Sequence, residues 1–151
     1  MDAIDLGLPS GTLWAAANIG ADIPEQFGIY STWDEAKSCL ERGWNLPKKE
    51  DYRELCDGCA MEVTEVNGIT GLLFTSRKNG NSIFLPAAGY GADLVPYICD
   101  TKSGHYWTST RINDDGAYGF DFFDFDARLS GSFVYKTQRL SLRAVKRTKR
   151  K

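Results

Sequence analysis

Gly43-Trp-Asn-Leu-Pro-Lys-Lys-Glu-Asp-Tyr-Arg-Glu-Leu55 contains an extended segment followed by a helix. The residue before a proline avoids the helical region, so Trp-Asn-Leu-Pro is predicted to be extended. A helix then runs from about Lys48 to Cys56, or a little beyond, and places Tyr52, Leu55 and Cys56 on one face. The apolar face indicates a helix that packs against other elements of the fold.

The segment before this stretch predicts strands and one more short helix. Ile4 to Asn18 reads as a strand pair around Pro9-Ser-Gly11, because these residues favour turns. Phe27 to Trp33 is aromatic and β-branched enough to be a strand. Asp34 to Gly43 predicts a short helix, with Asp34 or Thr32 as its cap and the glycine as its stop.

After Glu62 the pattern predicts β-structure. Asn67-Gly68 and Asn79-Gly80 are turn signals, and the second lies between two apolar, strand-like segments. Three further strands are predicted, at Tyr106 to Thr110, Tyr118 to about Phe125, and Leu140 to Lys146. Two early helices and many short strands with long loops between them indicate the α+β class.

The 151 residues suit one domain, predicted as 1–146 with a basic tail at 147–151. We expect a solvated tail; an electrostatic contact with nucleic acid or an acidic partner is the alternative. The net charge of -2 gives no general reason to expect a nucleic-acid partner. No segment approaches the roughly 20 apolar residues that span a bilayer, and Met1 to Asp5 lacks the features of a secretory signal. Localisation therefore stays open.

Four cysteines leave three alternatives open. Cys56-Asp-Gly-Cys59 has the spacing of a zinc or redox pair, but zinc needs two further ligands and the chain has one histidine, His105. A redox pair normally begins a helix, whereas this one falls at a predicted helix end. Free thiols are the favoured state of Cys39, Cys56, Cys59 and Cys99, ahead of a disulfide and of a metal site, and no cofactor is predicted.

Five phrases together resemble one known family. They are Asp5-Leu-Gly-Leu-Pro-Ser-Gly-Thr-Leu-Trp-Ala15, the Gly43–Leu55 stretch, Asn79-Gly-Asn-Ser-Ile-Phe-Leu-Pro-Ala-Ala-Gly-Tyr90, Tyr106-Trp-Thr-Ser-Thr110 and Ser141-Leu-Arg-Ala-Val145. The chain resembles the "major paralogous domain" family rich in Bacteroidetes. This resemblance implies a C-type-lectin-like, formylglycine-generating-enzyme-like fold, with two short helices packed on twisted antiparallel sheets.

The same superfamily includes variable proteins of diversity-generating retroelements, found in phages and gut bacteria. The resemblance implies receptor binding or surface display, on a virion or cell, through a C-terminal face that adenine mutagenesis diversifies. Members of that group carry proline where this chain has Ala144, and often glycine where it has Arg139. Randomised AAC codons cannot encode Lys, Glu, Gln, Met or Trp, and none of these occurs from Arg111 through Tyr135.

Strand alternation predicts that Phe120 and Phe122 face the core, which leaves Gly119, Asp121 and Phe123 outward. Exposed aromatic and charged side chains make good binding anchors. The candidate ligand-binding residues are Arg111, Ile112, Asn113, Asp114, Asp115, Asp121, Phe123, Asp124, Asp126, Arg128, Ser130, Ser132 and Tyr135.

The expected function is non-enzymatic binding of a protein or a surface polymer. The triplets of calcium-dependent sugar-binding lectins are absent, so binding is predicted to be calcium-independent. Catalysis is not expected. The formylglycine-generating enzymes of this fold use C-terminal active-site cysteines, and no cysteine follows Cys99 here. The sequence also suggests no Ser-His-Asp or Cys-His set around His105. The alternative is a structural lectin-fold domain of a surface adhesin or assembly, without diversification.

Overall fold

The computed structural model describes residues 2–92, 95–98, 103–123, 126–128 and 133–148. In these residues the helices are α1 (Trp33–Ala36), a 3-10 helix (Lys37–Cys39) and α2 (Lys49–Gly58). The first strands are β1 (Ala3–Asp5), β2 (Leu13–Ala15), β3 (Tyr30–Ser31), β4 (Cys59–Val66), β5 (Ile69–Ser76), β6 (Ser82–Pro86) and β7 (Tyr90–Ala92). The later strands are β8 (Val95–Ile98), β9 (Ser103–Asn113), β10 (Gly116–Phe123), β11 (Asp126–Arg128), β12 (Phe133–Tyr135), β13 (Leu140–Ser141) and β14 (Val145–Lys146). The mixed α+β class is confirmed.

The first predicted strand pair is present as β1 and β2. They pair antiparallel, with Ala3 opposite Ala15, and the Gly11 N–H closes the intervening turn onto Leu8 O. Strand β14 adds to β2 through Val145 opposite Trp14, so strands far apart in sequence share one sheet.

The predicted boundaries around Trp33 are wrong. Only Tyr30–Ser31 is a strand there, because Thr32 is the N-cap of α1 and its hydroxyl accepts a hydrogen bond from the Glu35 N–H. The helix is also shorter than predicted, since the 3-10 segment ends at Cys39 and Leu40 is extended. The next helix, α2, agrees with its prediction and continues to Gly58.

Two tight turns connect the three strands of the β4–β5–β6 sheet. Asn67 and Gly68 both have positive φ, 50° and 82°, and join β4 to β5 with Val66 opposite Ile69. This is the backbone that an Asn-Gly hairpin requires. In the turn from β5 to β6, the Ser76 hydroxyl accepts hydrogen bonds from the N–H groups of Lys78 and Asn79.

The largest sheet has the order β11-β10-β9-β13-β3, with β12 also paired to β10. Strands β9 and β10 form its central hairpin, and β9 bulges between Trp107 and Asn113. Strand β13 runs parallel to β9, with Ser141 opposite Tyr106, so this sheet is not wholly antiparallel.

The predicted strand from Leu140 to Lys146 is two strands in different sheets. The interruption contains Arg143, which is fully buried. Its guanidinium donates to Asn18 Oδ1, to Ala15 O and to Phe84 O at 2.9, 3.1 and 2.6 Å. Burial lowers the pKa of Arg143. The three oxygen acceptors stabilise the buried charge and hold the chain where it leaves one sheet for the other.

The core joins α2 to the central hairpin. Tyr52 stacks on Phe120 with ring centroids 4.4 Å apart, and Trp14 meets Tyr52 edge-on at 5.0 Å. Phe122 is also buried, so both phenylalanines face the core as predicted. The hairpin therefore stands on a packed, aromatic base.

Candidate functional site

Six of the predicted site residues meet at one end of the β9–β10 hairpin. We call them the tip surface: Arg111, Ile112, Asn113, Asp114, Asp115 and Tyr135. The first five are consecutive and exposed. Tyr135 comes from β12, yet it lies opposite Gly116, which also pairs with Asn113. The sheet thus brings together two segments that are about 20 residues apart in sequence.

Local hydrogen bonds order the tip. Asn113 Oδ1 accepts from the N–H groups of Asp115 and Gly116 at 2.8 and 3.2 Å, an Asx-type turn. Arg111 donates through Nε to Asn113 O at 3.0 Å and forms an ion pair with Asp114. The turn is therefore defined by its own side chains, although these lie in solvent.

The tip is also joined to its neighbour, β12. The Lys136 N–H donates to Asp115 O at 2.9 Å, and the Tyr135 ring packs edge-on against Phe133 at 4.8 Å. The Tyr135 residue is nevertheless 59% exposed. An aromatic ring that is supported on one side and exposed on the other offers contact area to a ligand.

The other predicted site residues do not meet the tip surface. Asp121 lies five residues along β10 from Gly116, about 17 Å at the usual rise per residue. The backbones of Phe123, Asp126 and Arg128 lie at that same far end, where β10 pairs with β11. Asp124, Ser130 and Ser132 lie outside the described residues. The predicted face is therefore divided between two ends of one strand.

Gly119 was predicted to face outward, and this is wrong. It is buried, and a Cβ built there would lie 3.0 Å from Val134 Cγ2 of β12. Strand β12 pairs beside this part of β10, and the side chains of Val134 and Leu140 fill the space over Gly119. A pattern of alternation along β10 cannot reveal that side chains from later strands bury its second face.

The structure assembles a Ser-His-Asp set that the sequence analysis did not find. His105 Nδ1 lies 2.8 Å from Asp121 Oδ1, and His105 Nε2 lies 3.0 Å from Ser103 Oγ. Ser103 and His105 share a face of β9 because they are two residues apart, and Asp121 is the cross-strand neighbour of His105. The spacing of two residues between Ser103 and His105 was a usable signal in the sequence for that pair, but no such signal existed for Asp121.

The serine of this set is buried in the described conformation, while the His105 and Asp121 side chains are 17% and 19% exposed. Ser103 is 2% exposed, and the His105 ring packs edge-on against Tyr90 at 5.1 Å. A nucleophile must come within contact distance of a reacting carbonyl. We therefore interpret the set as a hydrogen-bond network that fixes β9 against β10.

The cysteine and metal alternatives can be compared with the geometry. Cys39, Cys56 and Cys59 are free thiols, whereas Cys99 lies outside the described residues. Burial raises the pKa of Cys56 to about 11, with Asp57 and Cys59 adding to the shift. Cys56 is therefore a thiol and a weak nucleophile at neutral pH. Among the described residues, no group of three or more His, Cys, Asp or Glu side chains is placed to hold a metal ion. No helix in the same part of the chain is long and apolar enough to cross a membrane.

Comparisons of the chain with protein-family models, with characterised proteins and with solved structures found no match.

Proposed function

We propose that this chain is a non-enzymatic ligand-binding or display module that contacts its ligand through the tip surface. One observation carries the proposal: five consecutive exposed residues lie at the end of the β9–β10 hairpin, and an exposed tyrosine from another strand pairs beside them. Binding residues commonly lie on loops that a rigid scaffold positions. The ligand is a protein or a surface polymer.

The scaffold beneath the tip supports this proposal. The tip stands on β9 and β10, whose inward side chains Tyr106, Phe120 and Phe122 are buried. Because the tip side chains are outside this core, they can be selected for binding rather than for folding. The side-chain bonds of Arg111 and Asn113 stay within the turn, so replacing these residues changes the tip rather than the core.

The finer identity is part of the same proposal. We infer a C-type-lectin-like fold and a relation to the variable proteins of diversity-generating retroelements. The five quoted phrases and the α+β class support it. The whole tip surface also falls within the Arg111 to Tyr135 window, which contains no Lys, Glu, Gln, Met or Trp.

The binding test compares two sets of exposed residues. The purified chain is screened on arrays of surface glycans and receptor ectodomains, and the best ligand is titrated against variants. Arg111→Ala, Ile112→Ala and Tyr135→Ala together should weaken binding by tenfold or more, about 1.4 kcal/mol. The matched control, Arg53→Ala, Met61→Ala and Val63→Ala, changes exposed residues of α2 and β4 that are not part of the tip surface, and it should leave the affinity within about twofold.

Equal losses in both variants, or no ligand on either array, would contradict the proposal and favour an inert structural domain. The relation to retroelements has a separate test at the encoding locus. We expect a near-copy of codons 106 to 145 that differs mainly at adenines, close to a reverse-transcriptase gene. Mismatches that avoid the tip codons would show that another surface is diversified.

A further inference from the structure

A second surface, separate from the tip, has the composition of a ligand site. A cleft of about 410 Å³ lies between the α1 segment, the following loop and β9. We call it the basic groove and define it by Trp33, Lys37, Arg42, Trp44, Lys48 and Ser109. Its volume is in the range of small-ligand sites.

The groove has an apolar base. Trp44 and Leu46 are buried, and Leu40 packs beside them against the core that includes Trp107. The Trp33 indole N–H donates to Thr108 O at 2.9 Å, which fixes the ring against β9. The base is therefore rigid, and its partly buried residues, Trp33 and Leu40, are the apolar side chains that a ligand can contact.

The rim of the groove is cationic. Lys37, Arg42 and Lys48 are exposed, and no side-chain nitrogen of these three residues lies within 4.0 Å of a carboxylate oxygen among the described residues. Arg147 also lines the groove, but Asp51 neutralises it. Glu41 is the acidic residue of the lining. Lys136 and Lys146 lie over the rings of Trp33 and Trp44 and add positive charge nearby. This cluster contrasts with a chain whose net charge is -2, so the groove is suited to an anion.

The groove continues past Ser109. A neighbouring cleft of about 610 Å³ shares Lys48, Ser109 and Arg147 with it and reaches Thr110, the residue before the tip surface. Glu50 lies in this second part, as does the paired Asp51. A long groove suits a ligand made of repeating units better than it suits one compact molecule.

The backbone of the groove is already hydrogen-bonded. The Asn45 N–H donates to Val145 O at 2.8 Å, and the Ser109 N–H donates to Pro47 O at 2.7 Å. A peptide therefore cannot add to these segments as a further strand. The uncharged polar side chains of the lining, Asn45 and Ser109, are an amide and a hydroxyl. Such groups suit a ligand rich in hydroxyl groups.

We propose that the basic groove binds an anionic sugar chain, with its acidic groups on Lys37, Arg42 and Lys48 and its sugar rings over the apolar base. This goes beyond the proposed function, because the groove residues lie outside the tip surface. The groove would hold a repeating acidic polymer while the tip contacts a second feature of the same surface.

The experiment titrates the full chain with oligogalacturonate by calorimetry at low salt. Fully methyl-esterified oligogalacturonate of the same length is the neutral control. We expect the acidic oligomer to bind and the ester to bind at least about tenfold more weakly, with the affinity falling as salt is added. Equal binding of the two oligomers would overturn the proposal.

Matched charge reversals locate the site. Arg42→Glu with Lys48→Glu should weaken oligogalacturonate binding by about tenfold or more. Arg53→Glu with Lys78→Glu makes the same change in net charge at exposed residues elsewhere and should leave it within about twofold. Circular dichroism checks that both variants fold. Equal weakening in the two variants would show nonspecific attraction and overturn the site.

Two further probes complete the test. Heparin oligosaccharides cover sulfated chains, and poly-glutamate covers acidic proteins. If neither acidic sugar binds to the folded protein, or if poly-glutamate binds more tightly than both, the proposal fails. The tip variant Arg111→Ala, Ile112→Ala, Tyr135→Ala should bind oligogalacturonate normally. A failure of the groove proposal can therefore be distinguished from a failure of the proposed function of the tip surface.

Discussion

The guanidinium of Arg147 and the carboxylate of Asp51 form two parallel hydrogen bonds of 2.7 and 2.6 Å, which join the residue after β14 to the first turn of α2. Arg147 Nη1 also donates to Thr12 Oγ1, and Thr148 Oγ1 donates to Gly11 O. The first residues of the segment predicted to be a basic tail are thus held against the domain. The side-chain hydrogen bond to Asp51 raises the pKa of Arg147.

The Arg147–Asp51 pair should contribute to stability. Asp51 is 7% exposed, so Arg147→Ala leaves a buried carboxylate without its partner, and we expect a loss of about 1–2 kcal/mol. Urea denaturation measures it. Arg53→Ala, which removes an exposed arginine from the same helix as Asp51, serves as the control and should change the stability by no more than about 0.5 kcal/mol. An unchanged unfolding midpoint for Arg147→Ala would show that the pair is compensated by water.

Two buried tyrosines should respond oppositely to removal of their hydroxyls. The Tyr52 hydroxyl has no hydrogen-bond partner within the described part of the chain, so Tyr52→Phe should leave the stability unchanged or raise it by up to about 1 kcal/mol. Tyr106 OH donates to Pro86 O and accepts from Asn18 Nδ2, so Tyr106→Phe should cost about 1–2 kcal/mol. Thermal and urea unfolding of both variants compare them directly. A larger loss for Tyr52→Phe would reveal a partner for that hydroxyl.

Cys56 should resist alkylation in the native state. Burial raises its pKa from 9.0 to about 11, so the thiolate is scarce at pH 8 and the rate should climb as the pH approaches 11. Because the folded state holds this proton more tightly, the contribution to stability is present below pH 9 and is lost between pH 9 and about 11. Iodoacetamide labelling followed by peptide mass spectrometry, with urea-unfolded protein as the reference, measures the protection. Equal rates in the folded and unfolded protein would contradict it.

Substitutions at the tip and at its base should differ in their cost. Ile112→Ala and Asp115→Asn change exposed side chains and should alter the free energy of unfolding by no more than about 0.5 kcal/mol. Gly116→Ala places a Cβ 2.5 Å from the Phe133 ring and from Val134 O, so it should cost at least about 1–3 kcal/mol. Chemical denaturation of the three variants tests the contrast. A neutral Gly116→Ala would mean that β12 moves away without penalty.

Local chemistry made the helices, the hairpins and the α+β class predictable. Asn67-Gly68 defined its own turn, and the apolar face of α2 identified Tyr52 and Leu55 as buried. The break in the strand from Leu140 to Lys146 was not predictable, because it depends on acceptors for Arg143 at Ala15, Asn18 and Phe84. These lie far away in sequence.

The candidate site was predictable only where its residues are consecutive. Arg111 to Asp115 stand out as a polar stretch, and the structure places them together. The contact between His105 and Asp121 depends on the β9–β10 register, which bulges shift. The basic groove joins Lys37, Arg42 and Lys48 to Ser109 across the fold, so no local pattern indicates it.

The bulge in β9 has a consequence for chain length. Strand β9 advances six residues from Trp107 to Asn113, whereas the paired segment of β10 advances three residues, between Gly119 and Gly116. Three extra residues of β9 are therefore already accommodated beside the tip. Below Trp107 the pairing with β10 is regular, residue against residue. Insertions or deletions at the tip can therefore be absorbed locally, without a shift in the pairing below. The hairpin end can evolve by changing its length as well as its side chains.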